Sequence, residues 1–296
     1  VYSRDREKAA LFAKKHGAAS YYDSLESMAA DPGIDAVYLA SPNACHAPQA
    51  ELFLTHKKSV LCEKPLTLQT GEAESLFALA EQNGVVLCEA IMSAHHPELS
   101  VLRDSIGKIG AVHSASFDFS QLSSKYPAYL AGKRPNVFLP ELGGGCLEDL
   151  GVYAVYLACL LFGEPIAVQA DALFLETGAD GAGGAFLQYN DLLVTLTYSK
   201  MAQSYSASQI FGDAGTILVE SVSQLGQCEM VLPGGKREVL FPARSRFDLM
   251  RQEAQDFLAY CEGGKAMVPY GQARNDSLAV SRIMKRIRLA SGGFLF

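Results

Sequence analysis

The sequence predicts an α/β fold in two parts: a parallel sheet covered by helices, then an α+β part with a large, open, mainly antiparallel sheet. Three observations carry this expectation. Up to about Met92, short runs apolar on both faces alternate with helical stretches, as in a parallel sheet buried on both sides. Beyond about His96 the strands follow one another through short turns. In residues 192–199, Val194, Leu196 and Tyr198 alternate with Thr195, Thr197 and Ser199, so one face is apolar and the other polar. The length of 296 residues, 49% hydrophobic and 19% charged, is sufficient for two domains.

Taken in order, residues 5–16 (DREKAALFAKKH) predict a helix with Ala9, Phe12 and Ala13 on one face and Gly17 as its stop. A strand over 35–40, a helix over 47–55, a strand over 59–62, a helix over 68–82 ended by Asn83-Gly84 and a strand over 85–91 follow. In the second part, strands are predicted at 113–120, 166–175, 185–189, 192–199, 206–211, 216–219 and 228–231. Gly181-Ala182-Gly183-Gly184 reads as a hairpin turn, because no helix follows it. Helices over 248–261 and 274–289 close the chain. The expected division is 1–97 and 98–296, with the last helix packing back on the first domain.

Lys plus Arg number 25 against 32 Asp plus Glu, a net charge of -7 with no basic run longer than two, which argues against a nucleic-acid partner. Apolar runs such as 157–162 fall short of the roughly 18–20 residues of a spanning helix, so no membrane segment is expected. Seven cysteines without a CxxC pair predict free thiols in a reducing, cytoplasmic compartment.

Ligands of a parallel α/β sheet sit at the carboxyl ends of its strands. Those ends carry Ser41-Pro42-Asn43 with His46 nearby, Glu63-Lys64-Pro65, and Glu89 to Met92. Glu63 and Lys64 place a carboxylate and an ammonium at the rim of the sheet; a surface ion pair is the competing reading. A second candidate is residues 142–163, where Gly143, Gly144 and Gly145 feed a helix apolar nearly all round and therefore buried. Bare backbone N–H groups at its start are suited to an anion. Asp149, Tyr153 and Tyr156 fall within about 60° of arc on that helix. Desolvating an ionised Asp149 costs several kcal/mol unless it is paired or used, which favours a site residue. His95 and His96, with Cys88 and Glu89, lack metal-ligand spacing, so no metal is expected. Neither a GxSxG elbow nor a P-loop occurs.

Ser3-Arg4-Asp5, Ser41-Pro42-Asn43 with His46, Glu63-Lys64-Pro65, and Gly143-Gly144-Gly145 leading to Asp149, Gly151 and Tyr153 form one ordered set. In order and spacing, over essentially the whole chain, they resemble the Gfo/Idh/MocA family. Many members carry His at the position of Tyr153; the Tyr form resembles the branch with dihydrodiol dehydrogenases, glucose-fructose oxidoreductase and some sugar dehydrogenases. The resemblance implies a Rossmann domain followed by an α/β domain whose open sheet makes a dimer, or a dimer of dimers. It implies nicotinamide-dependent hydride transfer to or from a sugar, polyol or cyclic diol. Lys64, Asp149 and Tyr153 would be catalytic: Tyr153 the acid/base, Asp149 the holder of a substrate hydroxyl, and Lys64 the cation that lowers the phenol pKa.

By the same resemblance Ser3, Arg4, Ser41, Pro42, Asn43, His46, Glu63, Lys64 and Pro65 would contact the cofactor. A hydroxyl and a guanidinium at Ser3-Arg4 suit a ribose 2′-phosphate, so NADP is expected over NAD, with Asp5 as the competing acid. No GxGxxG occurs, and the expectation is that the first βα unit, roughly thirty residues, precedes Val1. Residues 92–95 (Met-Ser-Ala-His) depart from the aromatic and Arg common in the Tyr branch, which bears on the substrate pocket. The competing functions are a non-catalytic dinucleotide sensor of the same fold and an inactive truncated product.

Overall fold

The computed structural model describes residues 1–293. Its first part is built on three parallel strands, β1 (Ala36–Leu39), β2 (Ser59–Glu63) and β3 (Leu87–Ala90), in that spatial order. β2 is central, and its apolar residues are buried on both faces, which is why it reads as a continuous apolar run. Helix α1 (Arg6–His16) is capped by Asp5, which accepts from the N–H groups of Glu7 and Lys8, and stops at Gly17 in the left-handed region. α2 (Leu25–Ala30) is capped by Ser24; at six residues it is too short to show a helical period, and sequence reasoning missed it. α3 (His46–Thr55) and α4 (Thr70–Asn83) complete this layer. Tyr2 makes a parallel bridge with Tyr22, and a cleft of about 590 Å³ lies between Tyr2-Ser3 and β1, lined by Ala9, Val37, Leu39, Ser41 and Phe53.

The second part contains α5 (Leu99–Ile106), β4 (Val112–Ser120), α6 (Tyr126–Leu130), α7 (Val152–Phe162), β5 (Ala167–Phe174), β6 (Asp180–Gln188) and β7 (Leu193–Ser199). It continues with β8 (Ser208–Gly212), β9 (Gly215–Val219), β10 (Cys228–Val231), β11 (Arg237–Phe241), α8 (Arg246–Glu262) and α9 (Tyr270–Ser291). Its sheet has the order β11-β10-β9-β8-β4-β7-β6-β5, with β4 and β7 parallel and the other neighbours antiparallel. Val194, Leu196 and Tyr198 bury one face of β7, as their alternation predicts.

Two readings are corrected. The glycines at 181–184 lie inside β6 and not in a hairpin turn: Gly183 pairs with Ala172 and with Tyr198 on its two sides. A Cβ on Gly183 would stand 2.6 Å from the Tyr198 ring, so the strand is glycine-rich to admit that ring. The helical stretch Pro140–Phe162, at 23 residues with mean hydropathy 1.6, is also long and apolar enough to cross a membrane by length and composition. Of its most apolar window, 72% is buried in the fold, so this is a core helix.

That helix lies in the seam between the two sheets, and its polar groups are tied to both. Tyr156 is fully buried and bonds Glu89 at the end of β3 and Ser277 on α9, the latter at 3.0 Å. Glu148, 3% exposed, pairs with Arg288 of α9, which also donates to the Leu68 carbonyl at 2.6 Å. Burial pushes the Glu148 carboxyl up and Arg288 opposes it. Arg288→Leu leaves this acid buried without its cation and is expected to cost about 3–5 kcal/mol. A group whose pKa is raised in the folded state binds more protons there, so the penalty shrinks as pH falls from 8 toward 5. Urea titrations at the two pH values check both size and sign.

Candidate active site

β2 ends at the rim of its sheet on Glu63, and Lys64 follows before a cis peptide to Pro65. The two turns at the strand ends are held together by His46, which is fully buried. Its Nδ1 lies 2.8 Å from the Pro65 carbonyl and its Nε2 3.0 Å from that of Ser41. Burial holds its pKa below the usual imidazole value. Both ring nitrogens face backbone carbonyls, so His46 ties together the loops that carry Ser41 and Lys64. Glu63 accepts from the Tyr38 hydroxyl at the rim.

Opposite Lys64, residues Leu147–Gly151 form a π turn, in which the Val152 N–H reaches back five residues to the Leu147 carbonyl. The turn precedes both tyrosines, and the expected grouping of three side chains is only partly met. Asp149 and Tyr153 face Lys64, whereas Tyr156 points into the core toward Glu89. The Lys64 Nζ lies 2.7 Å from the Asp149 carbonyl and 3.2 Å from its Oδ1, and 5.0 Å from the centre of the Tyr153 ring. Asp149 Oδ2 accepts from Lys200 Nζ at 2.7 Å. Burial pushes the Asp149 carboxyl up, but the two ammoniums outweigh it and hold its pKa below the ordinary carboxylate value.

Tyr153 packs edge-on against Phe119 with ring centres 5.5 Å apart. Its pKa is raised, first by burial and then by the Glu63 carboxylate, against a smaller downward pull from Arg246. Burial and Glu63 thus outweigh the lowering expected from Lys64, whose ammonium is bonded to Asp149. Arg246, at the start of α8, and Lys200, just beyond β7, are charged site residues that sequence reasoning missed. A lone Lys following an alternating strand was the signal available for Lys200.

The helix start is also occupied. Asp180, the first residue of β6, accepts from Cys146 N–H at 3.0 Å and Leu147 N–H at 2.7 Å, so the anion that these groups meet is internal. Gly143, in the left-handed region, receives the Asn43 amide on its carbonyl at 2.9 Å; a Cβ there would stand 2.7 Å from that of Asn43.

The 590 Å³ cleft extends to Ala40-Ser41 at the end of β1 and has Ser3 on its other wall. Ser41 Oγ is buried without a hydrogen-bond partner among the described residues, an unmet polar group at a strand end. Arg4 is exposed beside Ser3, while the Asp5 carboxylate is committed to capping α1.

Comparison with known proteins matches residues 1–91 to the GFO/IDH/MocA oxidoreductase family, NAD-binding Rossmann fold, and residues 104–218 to the GFO/IDH/MocA C-terminal domain. The scyllo-inositol 2-dehydrogenase (NADP(+)) IolU of Bacillus subtilis is 38% identical over 292 residues, covering 99% of this chain and 88% of that protein. The trans-1,2-dihydrobenzene-1,2-diol dehydrogenase of Danio rerio is 33% identical over 74% of this chain and 65% of its own length. In fold, the chain is similar to KijD10, a 3-ketoreductase from Actinomadura kijaniata solved with NADP and TDP-benzene. The TM-score is 0.86 at 23% identity, covering 98% of this chain and 88% of that one. The chain belongs to the GFO/IDH/MocA oxidoreductase family.

Asp180→Ala orphans two N–H groups at the start of the site helix and is expected to cost about 1–3 kcal/mol, with Asp180→Asn, which keeps an acceptor oxygen, costing less than half as much. Chemical denaturation of the two variants beside the parent protein tests the ordering.

Proposed function

We propose that this member of the family is an NADP-dependent oxidoreductase acting on a CH–OH group of a sugar, polyol or cyclic diol, with Lys64, Asp149 and Tyr153 as its catalytic residues. The observation that carries the reading is their convergence at the end of β2: one ammonium bonded to Asp149 and lying on the ring of Tyr153. The names of the relatives, an NADP(+) inositol dehydrogenase and a dihydrodiol dehydrogenase, agree with the substrate class and cofactor.

The residues at the carboxyl ends of β1 and β2 suit a nicotinamide dinucleotide. The unpartnered Ser41 hydroxyl supplies a hydrogen bond, Pro42 and Asn43 shape the turn after β1, and Glu63, Lys64 and Pro65 form the next rim. Ser3 and Arg4 suit a ribose 2′-phosphate, and because Asp5 caps a helix, the competing acid is not available to a ribose hydroxyl. When bound, the nicotinamide accepts or supplies the hydride. Asp149, kept ionised by two ammoniums, accepts a hydrogen bond from a substrate hydroxyl and orients it toward Tyr153. The Tyr153 phenol, kept protonated by burial, donates to the carbonyl oxygen in reduction and, once deprotonated, takes the alcohol proton in oxidation.

We assign residues 1–97 to the cofactor domain and 98–296 to the substrate domain. Leu173, Phe186 and Leu193 lie exposed on one face of the large sheet, which suits a homodimer through that face. The free thiols suit the cytoplasm.

With scyllo-inositol and trans-1,2-dihydrobenzene-1,2-diol in the assay panel, Tyr153→Phe is expected to lower kcat by about 100-fold or more while NADPH binds as in the parent. A variant with the parental rate rejects the assignment. Because the phenol pKa is raised, oxidation should speed up with rising pH through the neutral range while reduction stays flat there. Fluorescence titration is expected to show NADPH binding more tightly than NADH; equal affinities reject the Ser3-Arg4 argument.

A further inference from the structure

We propose that Lys200 is a positioning residue of this site, which holds Asp149 in the rotamer that keeps Lys64 on the ring of Tyr153 and ties that carboxylate to the loop at 136–142. The inference rests on the site reading above and adds a second cation to it. Lys200 is 2% exposed, and its Nζ has three neighbours: Asp149 Oδ2 at 2.7 Å, the Val137 carbonyl at 3.1 Å and the ring of Phe138, whose centre is 5.1 Å away. Phe138 is itself fully buried and packs against Tyr126 and Tyr129, with centres 6.2 and 5.5 Å away. One ammonium thus joins the acid of the site to an aromatic wall.

The geometry distributes Asp149 between two cations. Lys64 takes Oδ1 and the backbone carbonyl, and Lys200 takes Oδ2. Without Lys200, no other side chain among the described residues bonds Oδ2 to oppose rotation of the carboxylate, so that both oxygens turn to Lys64, which draws that ammonium off the Tyr153 ring. A buried ammonium with three ordered neighbours is also rigid, unlike a surface lysine, so it sets a position and does not merely add charge. Its own place is fixed by Tyr198 two residues earlier, whose ring is wedged between Gly183 and Gly151; a Cβ on either glycine would come within 3.1 Å of that ring.

The test is Lys200→Met and Lys200→Arg beside the parent and Tyr153→Phe. Lys200→Met is expected to lower kcat/KM by about 100-fold, the loss that follows a misplacement of about 1 Å. Its acid limb should move up by about one pH unit, because Asp149 loses one of two cations. The other titratable groups that interact with Asp149 or Lys200 include Lys64, Tyr153, Cys146 and Asp180; burial keeps the phenol and the thiol protonated through that range, and Asp180, its carboxyl raised by burial, is bonded to the Cys146 and Leu147 N–H groups. Lys200→Arg, with its charge in place, should recover most of the activity and the parental acid limb, and the NADPH Kd should be the same in all three. An acid limb that does not move in Lys200→Met, or an Arg variant no better than Met, overturns the proposal. If Lys200→Met melts below the assay temperature, Lys200→Gln carries the same expectations. A crystal structure of the neutral variant gives a readout independent of turnover: Asp149 turned toward Lys64 supports the proposal, and an unchanged rotamer overturns it. Failure of the site reading shows separately, as parental activity in Tyr153→Phe.

Discussion

A helix apolar enough to be buried on nearly all sides nevertheless carries two acids and a tyrosine with polar needs, and satisfying them in the seam between two sheets organises the rest of the protein. Glu148 is met by Arg288 from α9, Asp149 by Lys64 and Lys200 from two different strand ends, and Tyr156 by Glu89 and Ser277. These partners come from β3, α9 and the segments that follow β2 and β7, so pairing these groups fixes how the elements meet. Desolvated charge is costly enough that such pairs specify geometry even where their net contribution to stability is small. The chemistry is placed by the same requirement: of the three acids in these ties, Asp149 is the one whose side chain remains partly exposed.

Tyr153 illustrates how far a site's charge can differ from its inventory. Beside a lysine, a phenol suggests a depressed pKa, yet here burial and the Glu63 carboxylate decide and push it up, while the ammonium lies against the ring and is engaged by Asp149. The resting site is therefore an acid in waiting, with Asp149 as its permanently ionised neighbour. Two groups with opposed environments, four positions apart on one helix, can divide proton transfer and substrate orientation between them.

Much of this was legible in the chain. The parallel strands announced themselves as apolar runs and β7 by strict alternation, because burial on two faces or on one leaves those signatures locally. The three residues proposed as catalytic stand in motifs, and the structure brings them together. What was not legible depended on distance or on local geometry without a period. Lys200 and Asp180 reach the site helix from strands about 30 to 50 residues away, α2 is a single capped turn and a half, and the π turn at Leu147–Gly151 has no sequence period of its own. His46 stands in a motif and bonds two backbone carbonyls, contacts that residue identity alone does not announce.

The slot that holds Tyr198 has a consequence of a different kind. The ring fits only because residues 151 and 183 have no side chains, one on the site helix and one in the neighbouring strand, and the chain that leaves this ring leads directly to Lys200. Two positions with no functional group thus set where a charge can stand several residues away. Sequence drift at those glycines would erase the site while leaving every reactive side chain in place, so the information that specifies the chemistry is partly written in positions that have no chemistry of their own.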